Sequence, residues 1–386
     1  MGDMSGRSLS EPGLQHPVAS ADRFLAMTQR YTITRLRVKY LLQPRFATLS
    51  CTHILRPSMP GQRILTVLHE GTMTGAPLAG VRAAHLMREL GYDVAFFCVR
   101  KATEPFARYV SLISGGPPIL TGSFHAADYD GVVCHSAATA DVVTQLLQAK
   151  RKVAWWIHED THFFDLINGR LINPCLKGAT ALVFASHHCA YRTFAPWVWE
   201  RHGFGVHVIP NCVDSVVVNR PTFTAPVIAH VATLSRLKGT DIVVQLARLT
   251  KDLGWKFKLI GRAMEPDFLV DVPENVLHLG EVPPETVLHE LGSCSHLFHP
   301  TRLDNQPLVI LEALARGVPV VSSFLPSIRE YADETHGIQF LGTDEISWPT
   351  LAGLFTSTLN VTARMPRAFH RSRHESSIAH LLEELL

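Results

Sequence analysis

The stretch HLFHPTRLDNQPLVILEALARGVPVVS, residues 296–322, decides the fold. It opens with a short apolar run, His296–His299, of strand length. A polar loop from Thr301 to Pro307 follows, then an apolar segment in which Pro307 suits the first helical turn, then the β-branched run Val318–Ser322. Strand, loop, helix and strand in that order form the repeating unit of a parallel sheet covered on both faces.

The same alternation extends upstream. Short runs rich in Val, Ile or Phe predict strands over Ile64–His69, Val94–Val99, Gly131–His135, Val153–His158 and Ala181–Ser186, with helices such as Pro77–Leu90 and Ala137–Ala149 between them. A second series predicts strands at Val227–Ala232, Phe257–Gly261 and Val276–Gly280 ahead of the opening stretch, with helices from about Gly239, Glu285, Pro307 and Trp348. No short period recurs, which excludes a solenoid. The chain of 386 residues is too long for one ordinary core. The expected organisation is an N-terminal extension over 1–60, a Rossmann-like domain over 61–212, a linker over 213–225 and a second Rossmann-like domain over 226–386. The last helix is expected to pack back on the first domain.

Composition narrows the function classes. Hydrophobic residues make up 46% and charged residues 18%, as in a well-buried α/β protein rather than a disordered chain. A formal charge of +2 is far from the basic balance that nucleic-acid binding requires, so nucleic acid is not an expected partner. Seven scattered cysteines, an odd count with no Cys-x-x-Cys pair, read as free thiols of a reducing compartment. Adjacent His187, His188 and Cys189 point in different directions on a helix and do not make a metal site. No run has the length of a membrane span, and Met1 to Pro12 lacks the apolar core of a secretory signal. A cytoplasmic location is expected. Between Arg23 and Arg45, the cations Arg30, Arg35, Arg37 and Lys39 interleave with Phe24, Leu25, Tyr31 and Tyr40. That segment reads as a solvated extension, as a helix packed on the first domain, or as a basic surface that meets the inner face of the membrane.

In an open parallel sheet, ligands sit beyond the carboxyl ends of the strands. Four polar loops occupy such places: Gly71 to Pro77, His158 to Asp160, Thr233 to Gly239 and Thr301 to Pro307. Gly71 and Gly75 suit a tight turn before a helix whose free N–H groups can meet phosphate, although a structural turn explains them equally. Neither Gly-x-Gly-x-x-Gly nor a Walker-type Gly-Lys-Ser/Thr is present there. Arg236 and Lys238 place two cations at the positive end of the next helix, where a diphosphate would neutralise them; the alternative is a pair of solvated surface cations. Asp304 precedes a helix and Glu312 lies about one and a half turns inside it. Two carboxylates beside free amides suit a polyhydroxylated ligand carrying phosphate, while Asp304 alone also reads as a helix cap.

These residues carry a family resemblance from about His69 to Tyr331. Asp304-x7-Glu312 resembles the Glu-x7-Glu stretch of family 4 glycosyltransferases, retaining enzymes with the GT-B fold, with Asp in place of the first Glu. Thr74-Gly75-Ala76-Pro77 with Gly91-Tyr92-Asp93-Val94 resembles the family's N-terminal glycine loop and the end of its helix. Val208-Ile209-Pro210-Asn211-Cys212-Val213-Asp214 resembles Ile-Pro-Asn-Gly-Val-Asp, and Ser186 matches a Val-x-x-Ser strand end. The family's Arg five residues before the motif Lys is Thr233 here.

The resemblance implies two Rossmann-like domains facing a central cleft. It implies transfer of a sugar from a nucleoside-diphosphate sugar to a hydroxyl of a glycan or lipid-linked glycan acceptor, with retention, in polysaccharide or glycoconjugate biosynthesis. Lys238 and Arg236 would hold the diphosphate, and Glu312 the ribose hydroxyls. Asp304, Asn305 and the amides through Gln306 and Leu308 would hold sugar and phosphate, and Gly75 would admit the phosphate. His158 resembles the family histidine beside the reacting sugar, although a histidine at a strand end is also often structural. No metal or cofactor is expected. The rival functions are a GT-B-fold nucleotide-sugar epimerase and a non-catalytic sugar-nucleotide-binding scaffold.

Overall fold

The computed structural model describes residues 61–386 except 114, 115, 117, 121, 162, 164–168, 203, 215–218 and 342–346. All of these belong to one compact unit, Leu55–Leu386. The extension, including its basic segment and Cys51, lies outside the described residues.

The first half forms a seven-stranded parallel sheet in the order β3-β2-β1-β4-β5-β6-β7. Its strands are β1 (Arg63–Leu68), β2 (Asp93–Cys98), β3 (Ile119–Leu120), β4 (Gly131–His135), β5 (Val153–Trp156), β6 (Ala181–Phe184) and β7 (Val206–Val208). Helices α1 (Gly75–Glu89), α2 (Glu104–Leu112), α3 (Ala140–Gln148), α4 (Gly169–Gly178) and α5 (Ala195–Glu200) connect them. The second half forms a six-stranded parallel sheet, β10-β9-β8-β11-β12-β13. It comprises β8 (Val227–Val231), β9 (Lys256–Ile260), β10 (Val276–Gly280), β11 (His296–His299), β12 (Val320–Ser323) and β13 (Ile338–Leu341). Helices α6 (Thr240–Leu249), α7 (Pro284–Gly292), α8 (Leu308–Ala315), α9 (Pro326–Arg329), α10 (Trp348–Ser357) and α11 (Arg371–Leu385) accompany it.

Central strands such as β4, β6 and β11 are buried along their whole length, which is why they read as unbroken apolar runs rather than alternating ones. The two short or late strands, β3 and β13, escape the sequence pattern. β3 has only two paired residues, and β13 is half-buried at a sheet edge. The helix expected over Ala137–Ala149 is instead a 3₁₀ turn, Ala137–Thr139, followed by α3. The break follows Ser136, which holds a positive φ of 78° and whose hydroxyl accepts from Ala138 N.

Each sheet reverses its strand order once, between β1 and β4 and again between β8 and β11. Connections leaving neighbouring strands at such a point diverge to opposite faces and open a crevice. The polar loops that follow β1, β8 and β11 therefore flank crevices.

The final helix α11 returns to the first sheet. Ile378, Leu381, Leu382 and Leu385 are fully buried in one core with Ile64, Val81, Leu86 and Val94. Gly131 opens β4 where Leu385 crosses: a Cβ there would lie 3.0 Å from Leu385 Cδ2. Arg371 pairs with Glu89 of α1, and His374 lies 2.7 Å from the carbonyl of Pro210.

Three buried histidines tie the fold together while uncharged. His230 bridges Phe298 O and Thr240 Oγ1, His296 bridges Ser295 and Thr358, and His374 meets Pro210. Burial depresses their pKa values to about 4, about 3 and about 4, from 6.5. On unfolding each takes up a proton below 6.5, so the unfolded chain binds more protons than the native one. Stability is complete above pH 6.5 and declines as pH falls from 6.5 toward 4. Melting curves recorded at pH 7.5, 6 and 5 should show a falling midpoint; a flat profile over that range would mean these histidines are charged in the native fold.

Candidate active site

The loop after β11 holds a mostly buried carboxylate among charged partners. Pro307 occupies the N-cap position of α8 with extended backbone, and no side chain caps the helix, so Asp304 is not a helix cap. Its Oδ2 sits 2.5 Å from Lys238 Nζ and 3.6 Å from His299 Nε2, with 18% of the side chain exposed. Burial works to raise the Asp304 pKa, but the Lys238 ammonium and the His299 imidazole outweigh it and hold the carboxyl down to about 2.

Lys238 is placed by a loop stitched to its neighbour. Gly239 has φ +77° and packs on the carbonyl of Pro300, so no other residue fits. Arg302 N donates to Leu237 O (2.8 Å), and the Arg302 guanidinium grips Asp241 in α6 with two 2.8 Å bonds. The loops after β8 and β11 thus hold one another, with the Lys238–Asp304 pair between them. Arg236, by contrast, is 72% exposed and pairs with Glu265 at 3.8 Å. The two cations that adjacency in sequence makes repel one another have separate carboxylates, and the structure brings Lys238, not Arg236, to Asp304.

The rest of the loop reaches the first sheet. Asn305 Nδ2 donates to the carbonyl of His158 (3.0 Å), and Gln306 Nε2 to that of Ala185 (3.2 Å). Asn211 N donates to Gln306 Oε1 (2.6 Å). Gln306 is buried, and both ends of its amide are occupied by protein; any contact it makes to a ligand runs through its backbone. One turn into α8, Glu312 Oε1 meets Arg82 Nη2 of α1 at 2.6 Å. Glu330, after α9, accepts the backbone N–H groups of His187 and His188.

At the facing edge, His158 Nε2 lies 3.1 Å from His135 Nδ1, and the two rings stack 5.4 Å apart. Burial pushes His158 down to about 4, so its imidazole is neutral at neutral pH. Burial, with His158 and His69 nearby, also holds the His135 pKa well below its usual value. Glu159 accepts from Ser136 Oγ and from Ala137 N (2.8 Å), pinning the end of β5 to the end of β4. Among the described residues no group of three or more His, Cys, Asp or Glu is arranged to hold a metal ion.

Gly71 and Gly75 play different parts. Neither has a positive φ, so a tight turn is not what requires them. A Cβ on Gly71 would lie 2.5 Å from Ala102 Cβ, whereas one on Gly75, the first residue of α1, would meet nothing within 4 Å.

Residues 60–208 match the family model described as "Glycosyl-transferase family 4", and residues 225–348 match "Glycosyl transferases group 1". The chain belongs to the family 4-like GT-B glycosyltransferases. No curated protein sequence matches it. Among solved structures it is similar to HepE of Anabaena, crystallised with UDP-glucose, at 17% identity with a TM-score of 0.66. That likeness covers 84% of this chain and 100% of HepE. It is also similar to the lipopolysaccharide outer core galactosyltransferase WaaB (13% identity, TM-score 0.58, covering 84% of this chain and 100% of WaaB). The sucrose-phosphate synthase of Thermosynechococcus elongatus matches at 13% identity and a TM-score of 0.58, covering 84% of this chain and 94% of the synthase. Likenesses this distant establish the shared two-domain fold.

In this glycosyltransferase the loops after β8 and β11 place Lys238, Asp304, Asn305, Gln306, Leu308 and Glu312 along one edge, and Asn305 joins them to His158. Motif reading did not single out Arg82, His135 or His299. Arg82 left one signal: it is a cation within the run Ala79 to Leu86, most of which is buried. The glycines supply a direct test. Gly71→Ala should cost about 1–3 kcal/mol through overpacking, which a thermal melt resolves, while Gly75→Ala should leave the melting temperature unchanged. Equal destabilisation by both would show that the space beside Gly75 is closed.

Proposed function

We propose that this glycosyltransferase transfers a sugar from a nucleoside-diphosphate sugar to an acceptor hydroxyl with retention of configuration, in polysaccharide or glycoconjugate synthesis. The observation that carries the reading is the Lys238–Asp304 pair, set beside the start of α8 with Glu312 one turn further on. HepE, which shares the fold, is described with UDP-glucose bound.

Lys238 has three N–H donors and gives one to Asp304, so two remain for diphosphate oxygens. The N–H groups of Leu308 and Val309 precede the first hydrogen bond of α8, in which Ile310 N donates to Pro307 O, and serve as further donors at this helix end. As the bond from the anomeric carbon to the diphosphate breaks, its electron pair moves onto phosphate oxygen, and these donors stabilise that charge most in the transition state. The acceptor oxygen bonds to the anomeric carbon on the same face, and its proton passes to the departing phosphate. Asp304, held near pKa 2 by its partners, is too weak a base to take that proton and too strongly paired to act as nucleophile. Asp304 and Asn305 instead orient the sugar, with the neutral His158 beside it. Glu312 offers Oε2 to the ribose hydroxyls while Oε1 stays with Arg82. Cationic side chains and helix amides meet the developing charge, so turnover should be the same with and without excess EDTA.

A thermal-shift series with UDP-, GDP- and dTDP-sugars should raise the melting temperature for one class of base. No shift with any of them would end the donor reading, and an isomerised sugar formed without acceptor would identify an epimerase. Glu312→Gln should weaken donor binding by about 1.5–3 kcal/mol, read by calorimetry.

Lys238→Ala should lower turnover about 100- to 1000-fold. It should also cost stability on the order of 2 kcal/mol, because it strands the mostly buried Asp304. Transfer near the wild-type rate by the folded variant would remove Lys238 from the chemistry.

A further inference from the structure

Arg82 stands on α1 of the first sheet, yet its ion pair is with Glu312 of the second, Nη2 to Oε1 at 2.6 Å. The pair is largely withdrawn from water, with side-chain exposures of 20% and 11%. The other terminal nitrogen, Nη1, is buried and has no hydrogen-bond partner among the described residues. A second guanidinium, that of Arg316, lies against the Glu312 carbonyl at 3.4 Å. The Glu312 carboxylate therefore pairs with the Arg82 guanidinium while Arg316 meets the Glu312 backbone, and the surplus N–H group belongs to the same guanidinium that holds Glu312. A buried N–H without an acceptor is disfavoured until an oxygen reaches it. No aliphatic or aromatic ligand meets that need; a hydroxyl does. A hydroxyl that donates to a carboxylate still has lone pairs with which to accept from a neighbouring guanidinium.

Resting on the donor reading above, we propose that Arg82 is a donor-binding residue supplied by the amino-terminal sheet, its Nη1 donating to a ribose hydroxyl whose proton Glu312 Oε2 accepts. The ribose is then read from both sheets at once, and the site discriminates ribose from sugars lacking these hydroxyls. A hydrogen-bonding site of this kind rejects analogues without the group because its own polar atoms are left unpaired.

The test uses the full chain and isothermal titration with UDP and GDP, each alongside its 2′,3′-dideoxy analogue. Arg82→Lys keeps a cation for Glu312 and removes the second terminal nitrogen. It should melt close to the wild type and bind the preferred ribonucleotide about tenfold more weakly. Its affinity for the dideoxy analogue should equal that of the wild type, because the hydroxyl that Nη1 serves is already gone. Donor KM should rise more than kcat falls. If Arg82→Lys does not fold, Arg82→Gln, which retains an N–H for Glu312, takes its place. Equal losses for the nucleotide and its analogue would assign Arg82 to another part of the ligand and overturn the proposal. Unchanged affinity for both would make the pair purely structural and overturn it as well. If the wild type binds neither UDP nor GDP, the donor reading itself fails and the Arg82 inference falls with it.

Discussion

In both sheets every strand pair runs parallel, so all the strand carboxyl ends of a sheet emerge along one edge. Right-handed crossovers then send consecutive connections to one face until the strand order reverses. The reversals at β1/β4 and β8/β11 leave a crevice in each edge, and the polar loops of this glycosyltransferase are the connections that flank those crevices. Backbone groups at strand ends have no ladder partner, and the loops must supply one. Much of the polar chemistry of the molecule gathers there for that reason.

The loop after β11 answers the requirement across the molecule. Asn305 caps the carbonyl of His158, Gln306 joins Ala185 to Asn211, and Glu312 takes Arg82. A loop that presents a carboxylate and helix amides to a ligand is thereby also a structural joint. Removing one partner of such a buried set costs more than the bond itself is worth, because the remaining group is left desolvated. Lys238 shows the consequence. Read as one of two neighbouring cations at a helix start, it is solvated and dispensable to folding; paired with Asp304 beside His299, it is part of what holds the loop.

Neutral histidines are the second recurrent device. His135 and His158 stack on each other at the cleft edge, and His230 ties β8 to the start of α6. A neutral imidazole offers one donor and one acceptor, which lets it link two backbone or hydroxyl groups inside a core where a charge would be costly.

Local patterns in the sequence specify the two α/β halves, the central strands, helices such as α1, α6, α8 and α10, and the loops that carry Lys238 and Asp304, with Glu312 in the helix that follows. Each of these depends on a local pattern: an apolar run of strand length, a proline at a helix start, a polar loop between them. The sequence by itself did not determine β3 or β13, because two paired residues or a half-buried edge leave no periodic trace. Nor did it show which cation meets which carboxylate. Arg236 and Lys238 are alike in sequence, and only the packing of Arg302 on Asp241 and of Gly239 on Pro300 turns Lys238 toward Asp304. Arg82 and Glu312 are separated by 230 residues, and no spacing rule spans that distance. Their meeting is decided by the tertiary structure, which brings Arg82 of α1 on the first sheet to Glu312 of α8 on the second.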